Sequence, residues 1–475
     1  MVHKFVSNSI REVNYFKVIV LSVGFLFILA AFTLPNPEGL SRDGQIMIGV
    51  LLLAALFWAT EPIPIEVTAI LVMVLPPLFG VISSESVFQG FGNKAVFFLL
   101  GAFMLAASIE KYGLHKIVAL KLMGLFGYKP KRFILGLLFV GGSLSFAMPE
   151  HAVATLLYPI VVKVLRTIEL TPKESNFGIA AALSLTFGTS VGSWGTLLGG
   201  ARNPLTIGFL EEQYGHQISF VDWTKITLPV VLVSIPVVWF ILTRLFPPEI
   251  TEKDMKKVKE TINKEIEEKS GLNRNEVITL AIFTFTVIMW VLFSTTLGVA
   301  IIALIGAILL FVFGVVDWSD IEERVPWGII LLYGGAITLG VSLNKTGAAK
   351  WIAEIITKLG AGNQILVILL LLIAGFALTN SMSNTAAVAL LLPIGLQIAT
   401  NVGISPIIAG FAIALSGGGA LMLVVSTPSA AIAYSTGYFS TKDLFKAGFV
   451  TFLALLAIIL LFSLTYWPFI TSSLA

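Results

Sequence analysis

The chain has 475 residues, of which 57% are hydrophobic and only 12% are charged, and its mean hydropathy is +0.94. A soluble domain carries about a quarter charged residues, so this composition excludes a soluble protein and indicates a polytopic membrane protein. We expect the lipid bilayer as a partner and no nucleic acid. The chain has no cysteine, which excludes disulfides, thiolate metal sites and cysteine nucleophiles.

The first predicted element is an apolar run at about 15–34. It follows Lys4, Arg11 and Lys17, and no clear cleavage site comes after it, so we interpret it as a retained first span and not a signal peptide. Most of the later apolar runs are close to the ~20 residues that a bilayer crossing needs. In the first half, apolar runs lie at about 44–60, 64–82 and 95–109. They are followed by a basic amphipathic stretch at 111–132, a hairpin at about 133–165, an interrupted span at about 176–210 and a last run at about 226–246. Glu61 and Glu66 are interpreted as scaffold residues near an interface.

A charged segment at 246–275 mixes lysine and glutamate and predicts a solvated helix between two repeats, 1–245 and 276–475. In the second half, three apolar runs lie at about 275–294, 297–316 and 326–343. A short amphipathic stretch at 345–360, a hairpin at about 363–400, an interrupted span at about 404–437 and a last run at about 447–470 follow them. The predicted fold is an all-α polytopic membrane protein with about 11 transmembrane helices, two re-entrant hairpins and two unwound helices.

The division into two repeats follows from one constant spacing. Pro159 lies 234 residues before Pro393. The same offset pairs other residues of the two halves: Phe79-Gly80-Val81 with Phe313-Gly314-Val315, Ser108 with Ser342, Lys111 with Lys345, Gly113 with Gly347 and Ala152 with Ala386. Internal repeats of this kind are typical of secondary transporters.

Basic residues concentrate in the N-terminus, the 111–132 stretch, the charged linker and the loop with Lys442 and Lys446. Placing these segments in the cytoplasm predicts a multi-pass protein of the plasma or inner membrane, with its N-terminus inside and its C-terminus outside. The second half then has one span fewer before its hairpin, so the repeats are inverted and the second hairpin enters from outside.

Ser383-Asn384-Thr385 forms a polar break between two apolar runs. Non-helical backbone survives in a membrane only where protein buries it or water wets it, so this break predicts a hairpin tip at a binding site. A continuous helix held to its neighbours by polar side chains is the alternative. At the corresponding place in the first half the residues are Pro149-Glu150-His151.

Glycines and prolines also interrupt one span in each half, between Gly192 and Pro204 and between Ser416 and Ser429. Unwound helices bring free N–H and C=O groups to the middle of the membrane, where N-terminal ends favour anions and exposed carbonyls favour cations. Glycines that merely allow close helix packing are the alternative.

At these residues the chain resembles the divalent anion/sodium symporter family, whose members carry dicarboxylates, tricarboxylates or sulfate. Ser383-Asn384-Thr385 with Pro393, Ser426-Thr427-Pro428, Gly195-Thr196 and Asn203 match the family pattern. Pro149-Glu150-His151, Gly200-Ala201-Arg202 and Ser429-Ala430 depart from it. The resemblance implies a homodimer in which a transport domain moves like an elevator against a static scaffold.

The resemblance further implies that the tips and unwound segments bind substrate and cations. Substrate would contact Ser383, Asn384, Thr385, His151, Arg202, Asn203, Thr427 and Pro428. Sodium would bind at Thr379, Ser383 and Asn384. Glu150, His151 and Gly195 belong to the first cation or coupling site, whose usual serine and asparagine are missing.

We hypothesise that the Arg202 guanidinium replaces the first sodium ion and pairs with Glu150, with the substrate anion or with both. His151 either binds the anion or titrates near neutral pH. A structural histidine and a Glu150–Arg202 salt bridge that only closes the hairpin are the alternatives. Coupling would then use Na⁺ or H⁺, or the protein would exchange anions, and no other cofactor is expected.

The leading functional hypothesis is a secondary transporter of small divalent anions. A cation/proton antiporter of the same superfamily is the first rival: Glu150, His151 and the loss of one anion-site motif favour it, whereas the intact second tip and the positive charge of Arg202 oppose it. An intramembrane enzyme finds no support, since the chain has four histidines and no catalytic motif that uses them. A channel would not need two broken helices.

Overall fold

A computed structural model describes residues 15–267, 271–358 and 362–472. This part of the chain is built from helices joined by turns, which confirms the predicted all-α membrane class. Lys4 and Arg11, used above for orientation, lie outside the described residues. The first twelve helices are α1 (Tyr15–Thr33), α2 (Arg42–Thr60), α3 (Ile65–Leu78), α4 (Ser84–Gln89), α5 (Lys94–Lys111), α6 (Leu114–Phe126), α7 (Pro130–Leu144), α8 (Glu150–Thr167), α9 (Asn176–Gly192), α10 (Arg202–Tyr214), α11 (Phe220–Leu245) and α12 (Glu252–Glu267).

The helices that follow the linker repeat much of this order. They are α13 (Arg274–Leu297), α14 (Val299–Val312), α15 (Trp318–Arg324), α16 (Trp327–Lys345), α17 (Ala348–Lys358), α18 (Gln364–Ser381), α19 (Asn384–Asn401), α20 (Pro406–Ser416), α21 (Pro428–Ser435), α22 (Thr441–Leu464) and α23 (Tyr466–Thr471).

Several long apolar helices begin at polar capping residues, which satisfy the free N–H groups of the first turn. In α11, α13 and α22 the cap side chain accepts a bond from the backbone three residues on, and an acidic residue there returns the bond. The pairs are Ser219 with Asp222, Asn273 with Glu276, and Ser440 with Asp443. These caps mark where the chain passes from a polar segment into a membrane helix.

Within the described residues, 8 helices are long and apolar enough to cross a membrane. A bent pair, Ser84–Gly92 with Lys94–Lys111, would add a ninth crossing. Some of these helices belong to the hairpins, and shorter apolar helices such as α3 and α14 also contribute to the bundle. The predicted number of about 11 spans therefore stays a prediction.

The helix bounds follow the spacing that the sequence suggested. Helix α3 covers Ile65–Leu78 and α14 covers Val299–Val312. Their first residues are 234 positions apart, and so are their last residues, which is the spacing between Glu150 and Asn384. Helices α8 and α19 match at both ends in the same way. The division into two repeats and their inverted relation remain predictions.

Two helical hairpins occupy the predicted places. Helices α7 and α8 span 130–167, where the sequence predicted about 133–165, and α18 and α19 span 364–401, where it predicted about 363–400. The second helix of each hairpin begins directly after the tip, at Glu150 and at Asn384. Each hairpin packs against a broken helix of its own half, α9 or α20.

Both interrupted spans are broken into two helices. Between α9 and α10 the chain is non-helical from Ser193 to Ala201, and between α20 and α21 it unwinds except for a short 3₁₀ turn at Val424–Ser426. Glycines in α9 also serve close packing: a Cβ at Gly192 would lie 2.2 Å from the Cα of Gly142 on α7. The two interpretations of these glycines therefore hold at different positions.

The charged linker folds into α12, which lies against the first hairpin. Ten of its 16 residues are charged, and it buries Met255, Val258 and Ile262 against α6 and α8. Glu265 forms an ion pair with Lys163 of α8. Because the charged side of α12 requires water, this end of the bundle lies outside the membrane core.

Candidate functional site

A cavity of about 730 Å³ lies where the two hairpin tips and the two helix breaks meet. Residues 149–151 and 381–385 of the tips line it, together with residues 199–202 and 425–428 of the breaks. Helices α2, α3, α5 and α16 complete the wall through residues such as Thr60, Ile65, Phe103 and Leu332. The segments that the sequence singled out are therefore brought together in one place.

Most of the residues predicted for the site line this cavity. They are Ser383, Asn384, Thr385, Glu150, His151, Arg202, Thr427 and Pro428. Three predicted residues, Asn203, Thr379 and Gly195, are not in the lining and lie behind it. Any contribution of these three residues to the site is therefore indirect, either by shaping the cavity wall or by binding an ion behind it.

The second hairpin tip is fastened to the second helix break by a group of oxygen atoms. The hydroxyl of Thr379 lies 2.6 Å from Asn384 Oδ1 and 2.7 Å from the Gly417 carbonyl oxygen. This hydroxyl has one proton for two acceptors, so one oxygen pair is always left without a hydrogen bond between them. Such a group of neutral oxygens is the donor set that a hard cation prefers.

Backbone ends at the second tip are also satisfied locally. Ser383 caps α19, with its Oγ accepting from the amide of Ala386 at 3.3 Å. Asn380 of α18 accepts a bond from the amide of Met422, in the second break, at 3.1 Å. The tip and the break therefore form one connected unit at the cavity wall.

The two tips touch each other through residues that are 234 positions apart. Asn384 Nδ2 donates to Glu150 Oε1 at 2.9 Å. Glu150 is buried, and its other oxygen, Oε2, has no hydrogen-bond partner in the described part of the protein. This second oxygen is itself buried, and the hydroxyl groups of Ser190 and Ser193 lie near the carboxyl group.

Arg202 lies between the ends of two half-helices, one from each half of the chain. Its Nη2 donates to Ser193 Oγ at 2.5 Å, just after α9, and its Nε donates to the Ala414 carbonyl of α20 at 3.1 Å. Helix C-termini carry unpaired carbonyls and partial negative charge, which a cation stabilises. The guanidinium therefore occupies a place where a positive charge is favoured.

Glycine makes room for this guanidinium. A Cβ at Gly418 would lie 2.2 Å from Arg202 Nη2, and one at Gly200 would lie 2.5 Å from Nη1. Arg202 and Glu150 are near enough to attract each other, but among the described residues their side chains form no ion pair. The salt-bridge alternative is therefore not the arrangement in this conformation.

Asn203 and Gly195 shape the first break. The Asn203 amide donates to the carbonyls of Ser193 and Thr196 at 2.8 and 2.7 Å, which holds the non-helical turn closed. The Thr196 hydroxyl donates to the Phe146 carbonyl of the first tip at 2.7 Å. At Gly195 a Cβ would lie 2.3 Å from the Phe146 ring, so glycine is required by packing there.

Sequence reasoning did not assign Glu61, Ser381 and Ser426 to the site, yet all three line the cavity. Glu61 had been interpreted as a scaffold residue near an interface. It ends α2 in a left-handed conformation with φ of 46°, which a non-glycine residue rarely adopts. The Glu61-Pro62-Ile63-Pro64 break between two spans was the signal that could have identified it.

Comparison with known proteins places this architecture in a family. The family model for the sodium:sulfate symporter transmembrane region matches residues 15–473. The sodium-dependent dicarboxylate transporter SdcS of Staphylococcus saprophyticus is 27% identical over 95% of this chain and 91% of its own length. SdcS of Staphylococcus aureus (strain bovine RF122 / ET3-1) is 28% identical over 91% of this chain and 88% of its own length.

A solved structure shares the fold. The YdaH transporter of Alcanivorax borkumensis superposes with a TM-score of 0.53 at 13% identity, covering 96% of this chain and 97% of that chain. The family match extends over almost the whole chain and agrees with the resemblance seen at the hairpin tips and breaks. The chain therefore belongs to the divalent anion/sodium symporter family.

Proposed function

We propose that this protein is a secondary active transporter of small divalent anions, with dicarboxylates as the first substrates to test and tricarboxylates or sulfate-like anions next. One observation carries the proposal: four helices, α8, α10, α19 and α21, begin at the cavity wall. The N-terminal ends of helices present free N–H groups and partial positive charge, which suit an anion. The names of the Staphylococcus relatives support the same substrate class.

Substrate would bind between the tips and the breaks. Ser383, Thr385 and Thr427 offer hydroxyl groups next to the first turns of α19 and α21, and His151 and Arg202 offer N–H donors from the other half. Asn384 and Pro428 complete this wall. Asn203 would act indirectly, because its amide holds the first break in shape.

Sodium would bind behind the second tip. Thr379 and Asn384 supply a hydroxyl and an amide oxygen, the Gly417 carbonyl adds a third oxygen, and Ser383 stands at the same tip. The residues fit a sodium ion because all of these donors are neutral oxygens. A bound ion there would add positive charge next to the substrate and fix the tip to the break.

At the first tip, Arg202 would take the place of the second cation. It bridges the ends of α9 and α20, and the buried carboxyl group of Glu150 lies close enough to attract it. Glu150 and His151, with Gly195 behind them, would then tune coupling rather than hold a second sodium. Fewer sodium ions would move per substrate than in a member with two ion sites, or protons or internal anions would drive transport.

Movement would follow an elevator-like mechanism, in which the hairpins and broken helices slide as a unit against α2, α3, α5 and α16. The cavity lies at the boundary between these two groups of helices. A homodimer whose static parts face each other, with the N-terminus in the cytoplasm and the C-terminus outside, completes the proposal.

A cation/proton antiporter is the second candidate. Glu61 and Glu150 both line the cavity, and acidic side chains there favour a positively charged substrate. The fixed charge of Arg202 and the four helix N-termini oppose it, because they repel cations.

The deciding experiment is uptake of labelled succinate, citrate and sulfate into liposomes that contain the purified protein. It is run with a sodium gradient, with a proton gradient, and with unlabelled anion inside but no gradient; protein-free liposomes are the control. Sodium-driven uptake supports the site behind the second tip. Uptake driven only by protons or internal anion supports replacement of sodium by Arg202, and no uptake under any condition rejects anion transport in favour of the antiporter.

A further inference from the structure

We propose that α6 and the start of α7 form a binding surface for anionic phospholipid headgroups. This basic surface consists of Val118, Lys121, Leu125, Lys129, Lys131 and Arg132. It lies outside the cavity and would regulate the transporter through its first hairpin.

The basic surface combines positive charge with exposed apolar side chains. No acidic residue occurs between Lys111 and Arg132. Helix α6 buries Ala119, Leu120 and Met123, whereas Val118 is 41% exposed and Leu125 is 78% exposed.

Val118, Lys121 and Leu125 follow the spacing of one helix face, and all three are exposed. A face of this composition is typical of helices that lie in the interface of a membrane with anionic lipids.

The position of α6 agrees with a membrane interface. One of its sides packs on α12, which requires water, and the chain then turns into α7 of the first hairpin. The Trp239 indole of α11 donates to the Lys131 carbonyl at 2.7 Å, and tryptophan is enriched at membrane–water boundaries. Nearby on α11, the exposed Arg244 guanidinium lies 5.1 Å from the centre of the Phe240 ring.

Charge at the start of α7 is unbalanced. Lys129, Lys131 and Arg132 stand at this end, with no acidic residue in the first turn and no side-chain cap. Cations at a helix N-terminus oppose the helix dipole, and a phosphate would offset both. An acidic protein segment would satisfy the charge, but Val118 and Leu125 on the same surface favour a lipid, which supplies phosphate and acyl chain together.

Among the described residues of the second half, the corresponding helix carries no comparable basic surface, which gives the proposal an internal control. Helix α17 occupies the corresponding place, and its Lys350 lies 3.9 Å from Glu354 on the same helix. Asn363 precedes helix α18, and its side chain caps the first turn. Anionic lipid would therefore act on one hairpin and on one leaflet of the bilayer.

Bound lipid would restrain the first hairpin. Gly113 and Gly127 flank α6 with φ of +61° and +75°. The helix therefore lies between two glycine turns at which the chain changes direction. Because α6 joins α5 to the hairpin, lipids that hold α6 in the interface would also set how easily the hairpin moves.

The test measures lipid binding directly, by native mass spectrometry of the full-length protein in detergent with added phosphatidylglycerol or phosphatidylcholine. A variant with K121Q, K129Q, K131Q and R132Q is compared with the matched α17 variant K350Q/K358Q. We expect phosphatidylglycerol binding to weaken by about several hundredfold in the first variant, since each of the four charges contributes about fivefold near an anionic surface. The α17 variant should match the unchanged protein.

Single variants K129Q and R132Q, each expected to lose about fivefold, keep the test valid if the fourfold variant does not fold. Equal binding of the two lipids by the unchanged protein would overturn the proposal, as would unchanged phosphatidylglycerol binding in all variants. Because no substrate is used, a failure of anion transport leaves this result unaffected.

Discussion

At the scale of single residues, substitution of Arg202 tests whether this side chain or a bound cation supplies positive charge at the cavity. If it replaces a cation, Arg202→Ala removes the donors to Ser193 and Ala414 and leaves room for an ion. We expect uptake to fall at least about tenfold, because bonds from a charged donor contribute about 1.5–3 kcal/mol each. Raising external sodium should restore part of it, which is measured as uptake against sodium concentration.

The exposed Arg274 supplies the control for this substitution, and Arg274→Ala should leave uptake unchanged. Arg202→Lys keeps the charge and should retain more activity than the alanine variant, although it loses the paired geometry. Equal sodium dependence in the alanine variant and the unchanged protein would contradict the replacement of an ion by Arg202.

Thr379 tests the sodium site without touching the cavity wall. Thr379→Val keeps the shape of the side chain but removes the hydroxyl that lies near Asn384 and Gly417. We expect the sodium concentration for half-maximal uptake to rise about tenfold, because the ion loses roughly one ligand bond. Thr379→Ser should behave like the unchanged protein; if valine does so too, sodium does not bind there.

At the scale of elements, the second helix break must leave space for the Arg202 guanidinium. Gly418→Ala would place a Cβ 2.2 Å from Nη2, so the guanidinium must move away from Ala414 and Ser193. We expect this small change to reproduce most of the uptake defect of Arg202→Ala. In α6, Gly124 meets nothing closer than 4.0 Å, so Gly124→Ala is the matched control and should transport normally.

Helix α15 is tied to the end of α5 by charge. Lys111 Nζ donates to Asp320 at 2.7 Å, and this bond holds the pKa of Asp320 below its usual value. A depressed carboxyl pKa stabilises the fold above the unfolded value near ~3.9, and the contribution disappears as pH falls through the folded pKa.

Asp320→Asn should therefore lower the melting temperature of the detergent-purified protein at pH 7 and at pH 5 by a similar amount. The difference between the two proteins should shrink as the pH falls below ~3.9, where Asp320 is protonated in the unfolded protein, and it should disappear below the lower pKa of the folded protein. A difference that stays constant down to pH 3 would show that the bond, and not the charge, stabilises this contact.

At the scale of the whole molecule, local chemistry predicts the elements but not the contacts between them. Polar tips in apolar runs located both hairpins to within a few residues, and glycine and proline located both breaks. No local pattern indicates that Asn384 would donate to Glu150, because these residues are 234 positions apart. The Glu61-Pro62-Ile63-Pro64 break marked the end of α2 in the sequence, but only the tertiary packing shows that this end lies at the cavity.

Movement of the transport domain can be tested through contacts that cross its boundary. Lys94 of α5 lies 2.5 Å from Glu211 of α10, so this ion pair joins the proposed scaffold to a broken helix. The pair of Lys111 and Asp320 instead joins α5 to α15, neither of which belongs to the hairpins or broken helices. Because the chain has no cysteine, double cysteine variants at either pair can be cross-linked without background.

For Lys94→Cys with Glu211→Cys, a short thiol cross-linker that reduction cleaves should stop uptake, and reduction should restore it, because sliding of α10 past α5 separates the two residues. The ion pair is largely exposed, so its loss alone should matter little. The same treatment of Lys111→Cys with Asp320→Cys should leave uptake intact. If the first cross-link forms fully and uptake persists, the hairpins and broken helices do not move past α5, and substrate crosses by a smaller gating motion at the tips.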